Sequence, residues 1–172
     1  MWTQLGYIAA VVGLLTLGTP SIRAAQVPQA KSDTYTWSGE LVSADATAKN
    51  ITVKSRIAYK EALSELTQFR AGEQVWIVWS GVHDYSDAIR QVRRPSPGRV
   101  IDEDLVLPAE LVSPQATNQY IAVRVKVPES SLAALRTLKP GEWVTVTSRH
   151  RPSTDVDAVA AVTPYGSTAT TD

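Results

Sequence analysis

The chain has 172 residues, 44% of them hydrophobic and 20% charged, an ordinary globular balance. Seventeen Lys and Arg stand against 17 Asp and Glu, so no global field draws the protein to nucleic acid or to an anionic membrane. There is no cysteine, which excludes thiol catalysis, thiolate metal sites, a disulfide scaffold and a bacterial lipoprotein anchor.

Leu5 to Leu17 is an apolar stretch of about 13 residues, shorter than the roughly 20 needed to span a bilayer as a helix. Gly18-Thr19-Pro20-Ser21-Ile22-Arg23-Ala24 follows it, the small-residue pattern of a secretory cleavage site. The sequence therefore predicts a signal peptide over residues 1–24, cleaved after Ala24. Its first residues, Met1-Trp2-Thr3-Gln4, carry no Lys or Arg, and an uncleaved anchor is the alternative. Residues 25–33 are polar and contain proline, and are expected to be a disordered leader. The expected location is outside the cytoplasm, periplasmic or extracellular.

From Thr34 onward the chain says nearly the same thing twice. Glu40-Leu41-Val42-Ser43 recurs as Glu110-Leu111-Val112-Ser113, and Ile51-Thr52-Val53-Lys54 as Ile121-Ala122-Val123-Arg124. Phe69-Arg70-Ala71-Gly72-Glu73-Gln74-Val75 recurs as Leu138-Lys139-Pro140-Gly141-Glu142-Trp143-Val144. A period of roughly 70 residues is too long for a solenoid and suits a duplicated small domain. The expected organisation is a first repeat over residues 34–94, a linker over 95–104, a second repeat over 105–164 and a disordered tail over 165–172. The linker rests on the breaker cluster Arg93-Arg94-Pro95-Ser96-Pro97-Gly98-Arg99.

Period-two alternation marks half-buried strands in both repeats. Tyr35, Trp37 and Leu41 fall on one face of the opening strand, and Leu105, Leu107 and Leu111 on its counterpart. Asp45 to Asn50 is rich in turn formers and should reverse the chain into Ile51, Val53 and Ile57, matched by Ile121, Val123, Val125 and Val127. Leu63, Leu66 and Phe69, like Leu132, Leu135 and Leu138, are spaced by three and predict a short helix or 3₁₀ turn. Gly72 and Gly141 should stop those turns and lead into strands Gln74–Trp79 and Trp143–Thr147. A fourth strand is expected near Ala88–Val92 and Val156–Val162. This order implies an all-β fold with short helices: two tandem small barrels, OB-like or SH3-like, each marginal alone and packed on its neighbour.

The runs Gly39 to Asp45, Ile51 to Lys54 and Phe69 to Val75 resemble the small OB-like β-barrel domains of bacterial periplasmic proteins, among them the copper-efflux metallochaperones. What the resemblance implies is a scaffold. The metallochaperone's methionine ligands have no counterpart, because Met1 is the sole methionine.

Positions that differ between the repeats are the candidates for function. Trp76 and Val78 are apolar on a strand face that ought to be solvated, while Trp143 begins the corresponding strand. Such a face is either packed between repeats or available to a partner, since aromatic side chains dominate interface hot spots. Arg90, Arg93, Arg94 and Arg99 form a basic cluster that would suit an anionic envelope polymer. His83 and His150 follow the third strand of each repeat and are the only imidazoles that could ligate a metal, with Asp84 near the first. Asp102-Glu103-Asp104 lacks the glycine and spacing of a calcium loop. No nucleophile-elbow, zinc-protease, Walker or dinucleotide pattern is present, and no cofactor is predicted. The expected function is a non-catalytic binding or assembly module of the bacterial cell envelope, meeting another envelope protein through an aromatic strand face and not nucleic acid. A metal carrier using His83 or His150 and an anionic-polymer binder using Arg90, Arg93 and Arg94 are the alternatives.

Overall fold

A computed structural model describes residues 33–57, 59–79, 89–95, 105–117, 119–150, 152 and 154–167. The expected signal peptide, nearly all of the expected leader, His83, Asp84, Arg99, Asp102-Glu103-Asp104 and the last five residues lie outside the described residues. Among the described residues no helix is long and apolar enough to cross a membrane.

Among the described residues eight strands carry the fold: β1 (Thr34–Asp45), β2 (Asn50–Arg56), β3 (Glu73–Trp79), β4 (Ile89–Arg93), β5 (Val106–Thr117), β6 (Tyr120–Lys126), β7 (Trp143–Arg149) and β8 (Val159–Pro164). Helix α1 (Lys60–Glu65) runs into a 3₁₀ turn at Leu66–Gln68, and a 3₁₀ turn at Glu129–Ser131 runs into α2 (Leu132–Leu135). The alternation seen in the sequence is realised as burial: Tyr35, Trp37 and Leu41 of β1, and Val144, Val146 and Ser148 of β7, all face inward. Between β1 and β2 the Asp45 carboxylate accepts the N–H groups of Thr47 and Ala48 at 2.9 and 2.8 Å, and Lys49 turns the chain at φ 52°. Gln119, with φ 70°, does the same between β5 and β6.

The eight strands form one antiparallel sheet in the order β4-β3-β5-β6-β2-β1-β7-β8. The expectation of two tandem small barrels packed on one another is met only as far as an all-β fold with short helices. The sheet is open, ending at β4 and β8, and the two halves of the chain are interleaved within it. β3 pairs with β5 of the second half, and β7 pairs with β1 of the first. Period-two patterning fixes which face of a strand is buried but not which strand lies beside it, so partner choice was not readable.

The interleaving is regular. Exchanging the labels β1–β4 with β5–β8 leaves the strand order unchanged. The registers correspond as well, since Glu40 lies opposite Trp143 and the matching Glu110 lies opposite Gln74. At the centre β2 meets β6 with Val53 opposite its own counterpart Val123. Ile51 and Ile121 are both fully buried on these two strands, one opposite Val125 and the other opposite Ser55.

Each long first strand serves two neighbours and bends between them. β1 and β5 have 12 residues each, with irregular register at Leu41/Ser43 and Leu111/Ser113. Such bulges raise local twist and bend a strand. The resulting curl brings Trp37 of β1 to Trp79 of β3, with ring centroids 5.3 Å apart, although three strands separate them in the sheet order. The core is therefore one cluster enclosed by the sheet's own concave face, drawing on all eight strands. Within it the Trp37 indole donates to Ser148 Oγ at 2.9 Å.

The open edges are guarded. An unpaired edge invites pairing with another chain. At β4 the Glu65 carboxylate accepts the Val92 N–H at 3.2 Å, and at β8 the Ser131 hydroxyl accepts the Val162 N–H at 3.2 Å. α1 packs along β4, and the segment from Glu129 to Leu135 packs along β8.

Because every half-sheet is completed by strands of the other half, cutting the connection should not separate them. With a specific protease site placed between Pro95 and Leu105, the cleaved fragments are expected to co-elute in native gel filtration and to part only in denaturant. Fragments that run apart without denaturant would contradict the interleaved pairing.

Candidate functional site

The convex face of the sheet carries the candidate residues, and alternation along the strands decides where each one points. Trp76 is half-buried between its two cross-strand neighbours, Arg93 on β4 and Pro108 on β5. The Arg93 guanidinium carbon lies 5.4 Å from the centre of the Trp76 ring, a cation–π distance. Val78, on the face read as either packed between repeats or available to a partner, is only 1% exposed and offers no surface to a partner. Trp76 is thus engaged across the β3–β5 seam between the two halves.

Trp143 is differently placed. It is 43% exposed and meets Tyr165 edge-on, with centroids 6.2 Å apart and planes at 65°. The Tyr165 N–H donates to the Trp143 carbonyl at 3.0 Å, and the Ser167 hydroxyl donates to the Pro164 carbonyl at 2.6 Å. The backbone therefore keeps the two residues side by side, with their rings forming an exposed aromatic corner. Glu40 lies beside Trp143 on β1 and forms an ion pair with Lys54 of β2 at 3.2 Å. The corresponding ion pair in the other half, Glu110–Arg124 at 2.7 Å, has Gln74 where the first has Trp143. Four strands separate β3 from β7, so the structure does not bring Trp76 and Trp143 together. Tyr165 is a contributor that sequence reasoning missed, having assigned it to a frayed tail. The Gly166 turn at φ 79° was the available signal.

The arginines do not form one patch. Adjacent residues of a strand point to opposite faces, so Arg93 turns to Trp76 while Arg94 turns back. Arg94 is bonded to Glu73 and to the Gln68 carbonyl and lies 4.8 Å from the Phe69 ring centre. It clasps the 3₁₀ turn to the start of β3. Arg90 is exposed on the edge strand. His150 is half-buried with its ring 5.1 Å from that of Tyr35. Among the described residues no group of three or more His, Asp or Glu could hold a metal ion.

A groove crosses the convex face on the Trp76 side. It comprises two adjoining cavities of about 360 and 280 Å³ that share Gln74, Pro108 and Asp155. The first is walled by Trp76, Pro95 and Pro152, and the second by Asn50, Glu110, Arg124 and Lys126. Pro152, Thr154 and Asp155, which lie between β7 and β8 in the other half, complete its lining.

Comparison with protein-family models, with curated proteins and with solved structures finds no match to this chain.

Two outcomes are expected from the geometry. Trp76→Ala should destabilise the fold by roughly 1–3 kcal/mol through lost burial, whereas Trp143→Ala should stay within about 0.5 kcal/mol of wild type. Urea denaturation of both variants measures the contrast. The Glu73 carboxyl is held below its ordinary 4.5, first by the Arg94 hydrogen bond and then by the Arg70 backbone N–H. A carboxyl lowered in the folded state contributes stability that is full above its unfolded value and lost as pH falls through its folded value. Glu73→Gln should therefore lower stability at neutral pH, with the gap to wild type closing on acidification below 4.5. Denaturant titrations from neutral to acid pH read that convergence.

Proposed function

We propose that the protein is a non-catalytic binding or assembly module of a bacterial cell envelope, exported by its N-terminal signal peptide and contacting another envelope protein through an aromatic strand face. The observation that carries this reading is the Trp143–Tyr165 corner, large and exposed, its two residues joined by a backbone hydrogen bond. Rigid amphipathic aromatics supply interface energy at little entropic cost. The contact face moves accordingly from the Trp76–Val78 strand to β7, with Glu40 and Lys54 as its polar rim.

Two finer readings belong with it. The halves derive from duplication of one unit of about 60 residues, supported by the sequence correspondences and the matched registers of β1–β7 and β5–β3. Each composite group, such as β1, β2, β6, β7 and β8 with α2, is OB-like in the sense of a partly open five-stranded barrel. The two groups share the central β2–β6 pair.

Affinity capture from an envelope extract tests the reading. Wild type and Trp76→Ala should retain the same envelope protein, and Trp143→Ala should lose it by roughly tenfold or more. Equal capture by Trp143→Ala and wild type would remove the aromatic corner from the contact.

A further inference from the structure

Between Ala161 and Pro164 the register of β8 on β7 is regular, so backbone directions alternate strictly. The Val162 N–H points away from β7, to the Ser131 hydroxyl at 3.2 Å. Two residues on, the nitrogen on that same side belongs to Pro164 and carries no hydrogen. Within this stretch the edge therefore offers one outward donor, and one serine occupies it. Ser131 is 4% exposed and Val162 2%, so the bond is shielded from solvent. The other edge is sealed at the matching amide, Val92, by Glu65. Aligning Leu63 and Leu66 with Leu132 and Leu135 matches Ser131 with Ala62 and Glu65 with Ala134. Each half thus seals the same position with a residue that its counterpart lacks, which marks closure of the edge as a requirement and not a by-product of packing.

The segment that closes β8 is lightly built. Ser131 is the N-cap residue of α2, where a serine hydroxyl ordinarily accepts an N–H of the helix's own first turn. Here it makes no cap hydrogen bond and is spent on β8 instead. α2 is left with four residues and no side-chain cap, too short to be stable by itself. Leu135 anchors it in the core, and the Lys49–Glu129 ion pair at its start is exposed and contributes little. The strand beneath it reads Val159-Ala160-Ala161-Val162-Thr163-Pro164 and carries no charge, whereas β4 carries Arg90 and Arg93. Edge charges are a common bar to strand pairing, and β8 lacks them. A second copy of the same edge is its complement. A two-fold axis at Val162 sets the N–H of each Val162 against the C=O of the other, two reciprocal bonds. On β4 the same operation would bring the arginines of two copies together.

We propose that Glu129–Leu135 is an autoinhibitory strap on β8, latched by Ser131, and that its release lets β8 pair antiparallel with β8 of a second copy of this chain. While the latch is closed the Val162 amide is spent and the sheet ends at β8. When it lifts, two sheets join edge to edge. The proposal rests on the edge strand alone and not on the Trp143–Tyr165 corner.

Sedimentation velocity of the purified full-length protein over a concentration series tests it. Wild type and Glu65→Ala are expected to stay monomeric. Ser131→Ala is expected to dimerise at concentrations about tenfold or more below any at which wild type does, because the freed amide is left to find a new acceptor. Ala133 is exposed on α2, so Ala133→Gly loosens the helix without touching the core. It should shift the equilibrium the same way to a smaller extent, and it serves where Ser131→Ala does not fold. Hydrogen exchange at the Val162 amide reads the contact itself: it should quicken in dilute Ser131→Ala and slow again as the concentration rises. Strap variants that stay monomeric throughout, dimers whose Val162 exchange is indifferent to concentration, or dimerisation by Glu65→Ala alone would overturn the proposal.

Discussion

The pairing of β2 with β6 is the contact on which the rest of the molecule depends. With Val53 opposite Val123, it places equivalent strands of the two halves side by side and sets a pseudo-two-fold centre. Once that pair exists, each bent first strand has its outer edge free, and the nearest complementary strand belongs to the other half. β3 closes on β5 and β7 closes on β1 with corresponding registers. The curl, the single core and the placement of both convex faces follow from this choice.

Interleaving explains how units of this size can hold together without disulfides. A domain of about 60 residues buries only around 60% of its unfolded surface and is marginal alone. Here the two halves build one core, in which Trp37 and Trp79 meet across the concave face and Leu41, Ile51, Leu111 and Ile121 are fully buried. The protected edges complete the arrangement. Glu65 and Ser131 are different side chains on different elements, yet each satisfies the amide of the fourth residue of its edge strand, Val92 and Val162.

Much of the local structure was legible before the coordinates. Alternation located the buried faces of β1, β2, β6 and β7, and spacing of three located Leu66 and Leu135 beneath their short helical turns. The turn glycines Gly72 and Gly141 were visible too, at φ 82° and 89°. What could not be read was partnership. The same patterns serve an isolated barrel or an exchanged one, because alternation is blind to the identity of the neighbouring strand. Hence Trp76 was legible as an unusual apolar residue, but not its enclosure between Arg93 and Pro108. The groove was invisible because its walls come from different halves.

The long reach from β1 to β7 also constrains how the molecule comes into being. The strand that completes Thr34–Glu40 is not synthesised until Trp143–Arg149 leaves the ribosome. A nascent first half has β1 and β3 each with one lateral partner of two, and its apolar face has nothing to close over. Contacts of such sequence separation make for slow folding, with the loop entropy met before the contacts form. Assembly is therefore a late, whole-chain event, in which the polypeptide stays open until nearly its last strand is made.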